Sequence, residues 1–312
     1  IATAVMNFAT TNREQFPLLR DSSRALDTAA PGASSPALMA MPWTISLLPQ
    51  LDNRPLYDRL TQYNSATGAA PNDFQTLRNT AIAVFTCPDD PALGTSGALT
   101  YVANAGYYDN SLFGASAATA NHQPRLDALD YNDGTMGFQT DNNLTIAQAA
   151  GVFLDNTIYN STTMVYSSTG RHNTLSGMYD AKGSTILISE NLAATRWSGV
   201  NLGDNAFGVG IAATSGAPTV VGQGTSATAL MLGMSGQDIT DLSAAERING
   251  NLAAGEGQAP RPSSLHPGGV IMTFCDGRTQ FVNDTIDGRV YMFALTPSGD
   301  RYGQNGAAFP LN

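Results

Sequence analysis

The chain has 312 residues, 42% of them hydrophobic, which is enough for a sizeable core in one large domain or two. Only 13% are charged, and 15 Lys and Arg against 25 Asp and Glu give a net charge of −10 with no basic cluster, which excludes a binder of phosphate backbones. No apolar run is long enough to span a membrane.

Ile1, Val5, Phe8 and Ala9 recur at helical spacing, with Thr10, Thr11 and Asn12 as a stop, so residues 1–12 are expected to be a helix. The chain starts without an initiator Met and enters this pattern directly, as the downstream half of a longer helix would. Periodicity alone fits an ordinary amphipathic N-terminal helix equally well. Residues 20–40, rich in Ser, Ala and Pro, read as loop. Trp43 to Tyr63 supplies Leu47, Leu48, Leu51, Leu56, Tyr57 and Leu60 to the core, in helical pieces broken by two prolines. Thr80–Thr86 reads as a short buried strand ending at Cys87-Pro88-Asp89-Asp90. The Asp pair suits a turn held by Asx hydrogen bonds at least as well as a metal corner.

A polar region from Tyr107 to about Leu175 follows. Asp127, Asp130, Asn132 and Asp133 are its candidate calcium ligands. Asp130-Tyr-Asn132-Asp133-Gly134 is one residue short of the D-x-[DN]-x-[DN]-G calcium spacing and lacks a placed terminal Glu, so solvated turn residues are the competing reading. Gly183 supplies a turn before a strand over Thr185–Ser189, and Glu190, Arg196 and Trp197 are expected to form a polar cluster where that strand ends. Gly199 to Gly257 is a second insertion rich in Gly, Ala, Ser and Thr, in which Ser243 and Glu246 make a capping box at a helix start.

The densest signal is Arg261 to Tyr291. Asp276-Gly277 between Val270–Phe274 and Thr279–Val282 marks a β-hairpin, expected with a two-residue type I′ turn. That register sets Phe274 opposite Thr279, Met272 opposite Phe281 and Val270 opposite Asn283. Val270, Met272, Phe274 and Phe281 then share the core face, while Ile271, Thr273, Cys275, Arg278, Gln280 and Val282 share the other. A strand from Val270 to Cys275 holds its ends roughly 17 Å apart, so His266 and Asp276 are not a catalytic pair. His266 reads as a structural histidine bonded to a carboxylate or backbone group, near Asp284 or Asp287. His122, His172 and His266 stand among no paired Cys or His, which speaks against a zinc site, and there is no G-x-S-x-G. No convergent acid, base and nucleophile can be assembled, so the reading is non-enzymatic.

These elements carry a resemblance. His266, nine residues, then Asp276-Gly277 resembles the H-x9-DG signature of a planctomycete-type family of pilin-like secreted proteins, the DUF1559 family. Arg261-Pro262-Ser263-Ser264, His266-Pro267-Gly268-Gly269 and Phe274-Cys275-Asp276-Gly277 fit its pattern in order. Trp43 to Tyr63, Cys87-Pro88-Asp89-Asp90, Tyr101 to Gly106, Gly151–Leu154, Met178 to Asn191 and Val290 to Gly299 resemble further blocks, of which Gly151–Leu154 is thereby implied to be a strand. His266, Gly268, Gly269, Asp276 and Gly277 are thereby implied to be the structural motif. The resemblance implies an α+β, pilin-like head, with the N-terminal helix as the end of a spine packed on an antiparallel sheet. It implies one head over 1–312, with insertions at 107–175 and 199–257. It also implies export to the cell surface, homo-oligomeric filament assembly, and membrane contact only through an upstream helix. Pseudopilins, which the family resembles, often hold calcium in a loop, which adds to the candidacy of Asp127 to Asp133. Cys87 and Cys275 allow one disulfide, with two free thiols, or Cys87 bonded to an upstream cysteine, as the other readings. A surface-binding module for a glycan or small ligand is the second functional expectation, favoured by a concave patch of Tyr107, Tyr108, Tyr131 and Trp197.

Overall fold

Helix α1 (Ala2–Thr11) opens the fold and buries Ala4, Val5 and Ala9. It ends where expected: the Asn12 side chain donates to the Phe8 carbonyl at 2.8 Å, and Arg13 and Glu14 turn the chain at φ 57° and 62°. The structure, a computed structural model, describes residues 1–27, 38–62, 74–90, 96–109, 145, 148–155, 157–160, 165–168, 170–212, 219–220 and 246–302.

Three expectations before the sheet change. Residues 20–40 contain the strands β1 (Arg20–Asp27) and β2 (Leu38–Pro42), an antiparallel ribbon with a bulge between Asp21 and Ala25, and not a loop. The ribbon is polar, and Leu26 and Met41 are its buried apolar contributions, so its composition resembles a loop. The Trp43 segment breaks as predicted into α2 (Trp43–Leu47), a 3-10 turn (Leu48–Leu51) and α3 (Arg54–Thr61), followed by α4 (Phe74–Leu77). Leu47, Leu48 and Leu60 are buried, with Leu51, Leu56 and Tyr57 packed partly against the core. Thr80–Thr86 is not a strand. Ile82 and Phe85 are buried and Val84 is exposed, and the three-residue spacing closes as a 3-10 turn over Ala83–Phe85. Gly151–Leu154 is buried without joining a ladder. Its Phe153 amide donates to the Asn104 carbonyl at 2.9 Å, and Leu154 accepts from Leu19 at 2.8 Å.

The main sheet has six strands in the order β10-β9-β6-β3-β7-β8. These are β3 (Tyr101–Asp109), β6 (Ile186–Glu190), β7 (Ala206–Ala212), β8 (Thr219–Val220), β9 (Gly269–Phe274) and β10 (Thr279–Asn283). β4 (Thr157–Asn160) and β5 (Val165–Ser168) form a separate ribbon. All pairs in the main sheet are antiparallel except β3 with β7. The stretch expected as the second insertion therefore contributes two strands to the sheet, entered through the short helix α5 (Leu202–Asn205).

Both sheet faces are covered. Ile186, Phe207, Val270, Met272 and Phe274 meet Tyr291 and Met292 of α6 (Gly288–Leu295), whose N-terminus is capped by Asp287. On the other face Ala103, Tyr108, Leu187 and Ala206 meet Val5, Trp43 and Phe153. This double cover buries every residue of β6, Ile186 to Glu190, without alternation. The fold is α+β: an N-terminal helix and further helices on a mixed, largely antiparallel sheet.

The hairpin forms one residue out of the expected register. Thr279 lies opposite Thr273, Gln280 opposite Met272, Phe281 opposite Ile271 and Val282 opposite Val270. Gly277 alone has a left-handed φ, 88°, and its amide donates to the Phe274 carbonyl at 2.9 Å. Cys275, Asp276 and Gly277 thus make a three-residue loop closed by a glycine bulge instead of a two-residue type I′ turn. The slip turns β10 over: Val282 is buried and Phe281 is 43% exposed.

Candidate metal centre

Three side chains from distant parts of the chain converge where β6 ends beside the start of β3. Glu190 is the last residue of β6 and lies opposite Tyr101, the first of β3. Cys87 follows the 3-10 turn, held by its amide donating to Thr100 Oγ1 at 2.6 Å and by its carbonyl accepting from Asp90 at 3.1 Å. His266 comes from the loop that leads into β9. That loop wraps the end of β6: Ser263 donates its amide to the Glu190 carbonyl at 2.9 Å, and Ser264 Oγ donates to the Gly269 carbonyl at 2.7 Å. Ser264 Oγ in turn accepts from the His266 amide at 3.1 Å.

His266 Nε2 lies 3.2 Å from Glu190 Oε1 and 3.9 Å from Cys87 Sγ. One ligand atom from each of the three falls within 4.8 Å of the others. The remaining atoms are committed elsewhere: Glu190 Oε2 accepts from the Ile271 amide at 2.9 Å, and His266 Nδ1 lies 3.6 Å from Asp89 Oδ2. The Glu190 side chain is 4% exposed, that of His266 26% and that of Asp89 70%, so the group opens towards solvent on the Asp89 side. A small, partly open space of about 10 Å³ lies among them, room for about one water molecule or ion.

Burial pushes the Cys87 thiol up, and the neighbouring Glu190 carboxylate pushes it further. The Tyr101 hydroxyl is pushed up to about 12, first by burial and then by Cys87 and Glu190. Thiol and carboxylate crowd the same imidazole nitrogen, and the thiol is disfavoured as an anion, so the geometry does not make Cys87 an activated nucleophile. A sulfur, an imidazole nitrogen and a carboxylate oxygen converging on one point is instead a ligand set for a divalent metal.

The other predicted residues fall elsewhere. His266 does bond a carboxylate, but that of Glu190 and not Asp284 or Asp287. Asp287 caps α6, and the Asp284 amide donates to the Gly268 carbonyl at 2.9 Å. Glu190 does not cluster with Arg196, which donates to Asn79 Oδ1 at 2.8 Å. Gly268 has a left-handed φ of 80°, and Gly269 passes against the Val282 backbone. Asp276 and Gly277 form the far hairpin end. There Asp276 accepts from the Arg278 amide at 3.0 Å, and Arg278 stacks 4.1 Å over Phe274 while its Nε donates to the Gly183 carbonyl at 3.1 Å. Cys87 and Cys275 are both free thiols at opposite ends of β9, so the disulfide expectation is corrected. Glu246, expected in a capping box, is instead buried in a pair with Arg261. Tyr107, Tyr108 and Trp197 are buried and line no concave surface patch. The calcium candidates Asp127, Asp130, Asn132 and Asp133, with Tyr131 and Ser243, lie outside the described residues.

Asn104 was missed as a key residue. Fully buried in the bulge of β3, it donates to the carbonyls of Ile186 and Leu295 at 2.7 Å each, and its Oδ1 accepts from Gly106 at 2.8 Å. An Asn two residues before a Gly inside an otherwise apolar strand was the available signal.

A family described as a protein of unknown function (DUF1559) matches residues 1–289. No curated protein and no solved structure matches the chain. With the match running through α1, the sheet, the Cys87, Glu190 and His266 cluster and the hairpin, the chain belongs to the DUF1559 family.

Proposed function

We propose that the protein is a non-enzymatic structural subunit of an extracellular, pilus-like filament. The supporting observation is the seating of α1. Ala4, Val5 and Ala9 are buried in the cluster that covers one face of the sheet, with Met6 and Phe8 packed partly against it. A helix held in this way transmits its position to the sheet, which is what a head carried on a helical spine requires. In this reading the polymerising element is an apolar helical segment upstream of α1, as the pilin-like resemblance implies, and the sheet forms the exposed head. A glycan- or ligand-binding head has less support, because the described aromatic candidates are buried in the core.

The test is made on native cells: shear the surface fraction, label it with antibody to the head and image it by electron microscopy. Labelled filaments, together with an intact mass that includes an apolar segment before Ile1, are the expected result. Recovery of the protein solely as a soluble monomer, with unlabelled filaments, rejects the reading.

A further inference from the structure

We propose that Cys87, Glu190 and His266 bind one divalent metal ion of borderline softness, zinc in the first instance, with solvent in the fourth position beside Asp89. The spacing fits. Zinc bonds of about 2.3 Å to sulfur and about 2.0–2.1 Å to nitrogen or oxygen, in a tetrahedron, place neighbouring ligand atoms about 3.3–3.6 Å apart. The nitrogen–oxygen and nitrogen–sulfur separations of 3.2 and 3.9 Å bracket that range. The third pair, the Cys87 sulfur and the Glu190 oxygen, lies within 4.8 Å and closes towards about 3.6 Å as an ion enters.

The supporting contacts fit as well. A ligating imidazole presents one nitrogen to the metal and donates the other N–H outward, commonly to a carboxylate. Asp89 stands at Nδ1 of His266, leaving Nε2 for the ion. Glu190 is anchored through Oε2 by the Ile271 amide, which leaves Oε1 pointing at the same spot. His266 and Glu190 are thus each oriented by a contact that metal binding does not consume. Thiolate and imidazole favour zinc over calcium or magnesium, which take oxygen ligands. The ion would clip together three segments that sequence separates by 76 residues between Glu190 and His266 and 179 between Cys87 and His266. The effect is on stability, and it holds whether or not the protein forms filaments.

The competing account is an ordinary pair in which His266 donates to Glu190 beside a spectator thiol. The two accounts separate in the chelator-treated folded protein. Titration with zinc chloride should bind one equivalent and raise the melting temperature, while calcium chloride should do neither. Cobalt(II) should give a near-ultraviolet thiolate charge-transfer band. Asp89→Asn, at an exposed position that should not disturb folding, should weaken zinc binding by about tenfold or more. Cys87→Ser should abolish the cobalt band. Should that variant not fold, zinc should still slow alkylation of Cys87 in the unmodified protein, read by peptide mass spectrometry. No zinc-dependent rise in melting temperature, a cobalt band that survives Cys87→Ser, or alkylation of Cys87 at the same rate with and without zinc would overturn the proposal.

Discussion

Gly268 and Gly269 stand side by side before the hairpin, and they meet different demands. Gly268 has φ 80°, and a Cβ there would meet nothing within 4 Å, so its requirement is purely conformational. Gly269 is a matter of space: a Cβ would sit 2.1 Å from the Val282 carbonyl oxygen, across the ladder. Gly268→Ala should therefore cost about 1–2 kcal/mol, the strain of a left-handed L-residue. Gly269→Ala should cost about 3 kcal/mol or more, because the backbone of β10 has to give way. Urea unfolding of both variants checks this, and equal losses would mean that the close approach to Val282 is not what holds the glycine. The same pair places His266, whose carbonyl accepts from the Gly269 amide at the loop's exit. The architecture that H-x9-DG describes is thus a loop pinned to Glu190 at one end and a glycine-bulged turn pinned to Gly183 at the other.

At the scale of elements, the hairpin tests the register. Val282 is 4% exposed and packs with Val270, Met272 and Phe274, whereas Phe281 is 43% exposed. Val282→Ala should cost about 1–3 kcal/mol from lost burial and the space left behind. Phe281→Ser should cost less than about 1 kcal/mol, since the ring is 43% exposed on an edge strand, where it lies over Gly269. Chemical denaturation ranks the two, and a reversed order would restore the two-residue turn. The hairpin's existence was legible because alternation around Asp-Gly is a local signal. Its loop length was not, because two- and three-residue loops use the same Asp-Gly and differ by a single φ. β6 was legible for a similar local reason: five apolar or small residues follow a turn glycine. The β1–β2 ribbon was not, because its stability comes from its partner and from a buried ion pair instead of an apolar face.

That ion pair belongs to the whole molecule. Arg20 on β1 meets Asp155 at 2.7 Å, with side chains 6% and 0% exposed, and ties the ribbon to the segment that crosses β3. Removing one partner strands a buried charge, so Asp155→Ala should cost about 3–5 kcal/mol. Arg20→Met combined with Asp155→Leu should recover most of that loss, because neither charge is then left in the interior. Thermal unfolding of the single and double variants decides. A double variant as unstable as the single would show that the pair does more than neutralise itself. Arg261 and Glu246 form a second buried pair in the same manner, with the other Glu246 oxygen accepting from Gly210 at 3.3 Å. This explains why Arg261 stands at the head of the motif.

Local signals in the chain are enough for α1, the broken helices after Trp43, strand β6, the existence of the final hairpin and the family. Each rests on periodicity, a turn residue or a motif read within a few neighbours. The register of β10, the parallel entry of β7 beside β3, and the meeting of Cys87, Glu190 and His266 come instead from long-range packing. No local spacing joins those three residues. They meet because Tyr101 pairs with Glu190 at the ends of the two central strands and the Ser263 amide binds the Glu190 carbonyl, folding the His266 loop over the end of β6. Contacts of that kind are set by which strand lies beside which, and that choice is made by the whole core at once.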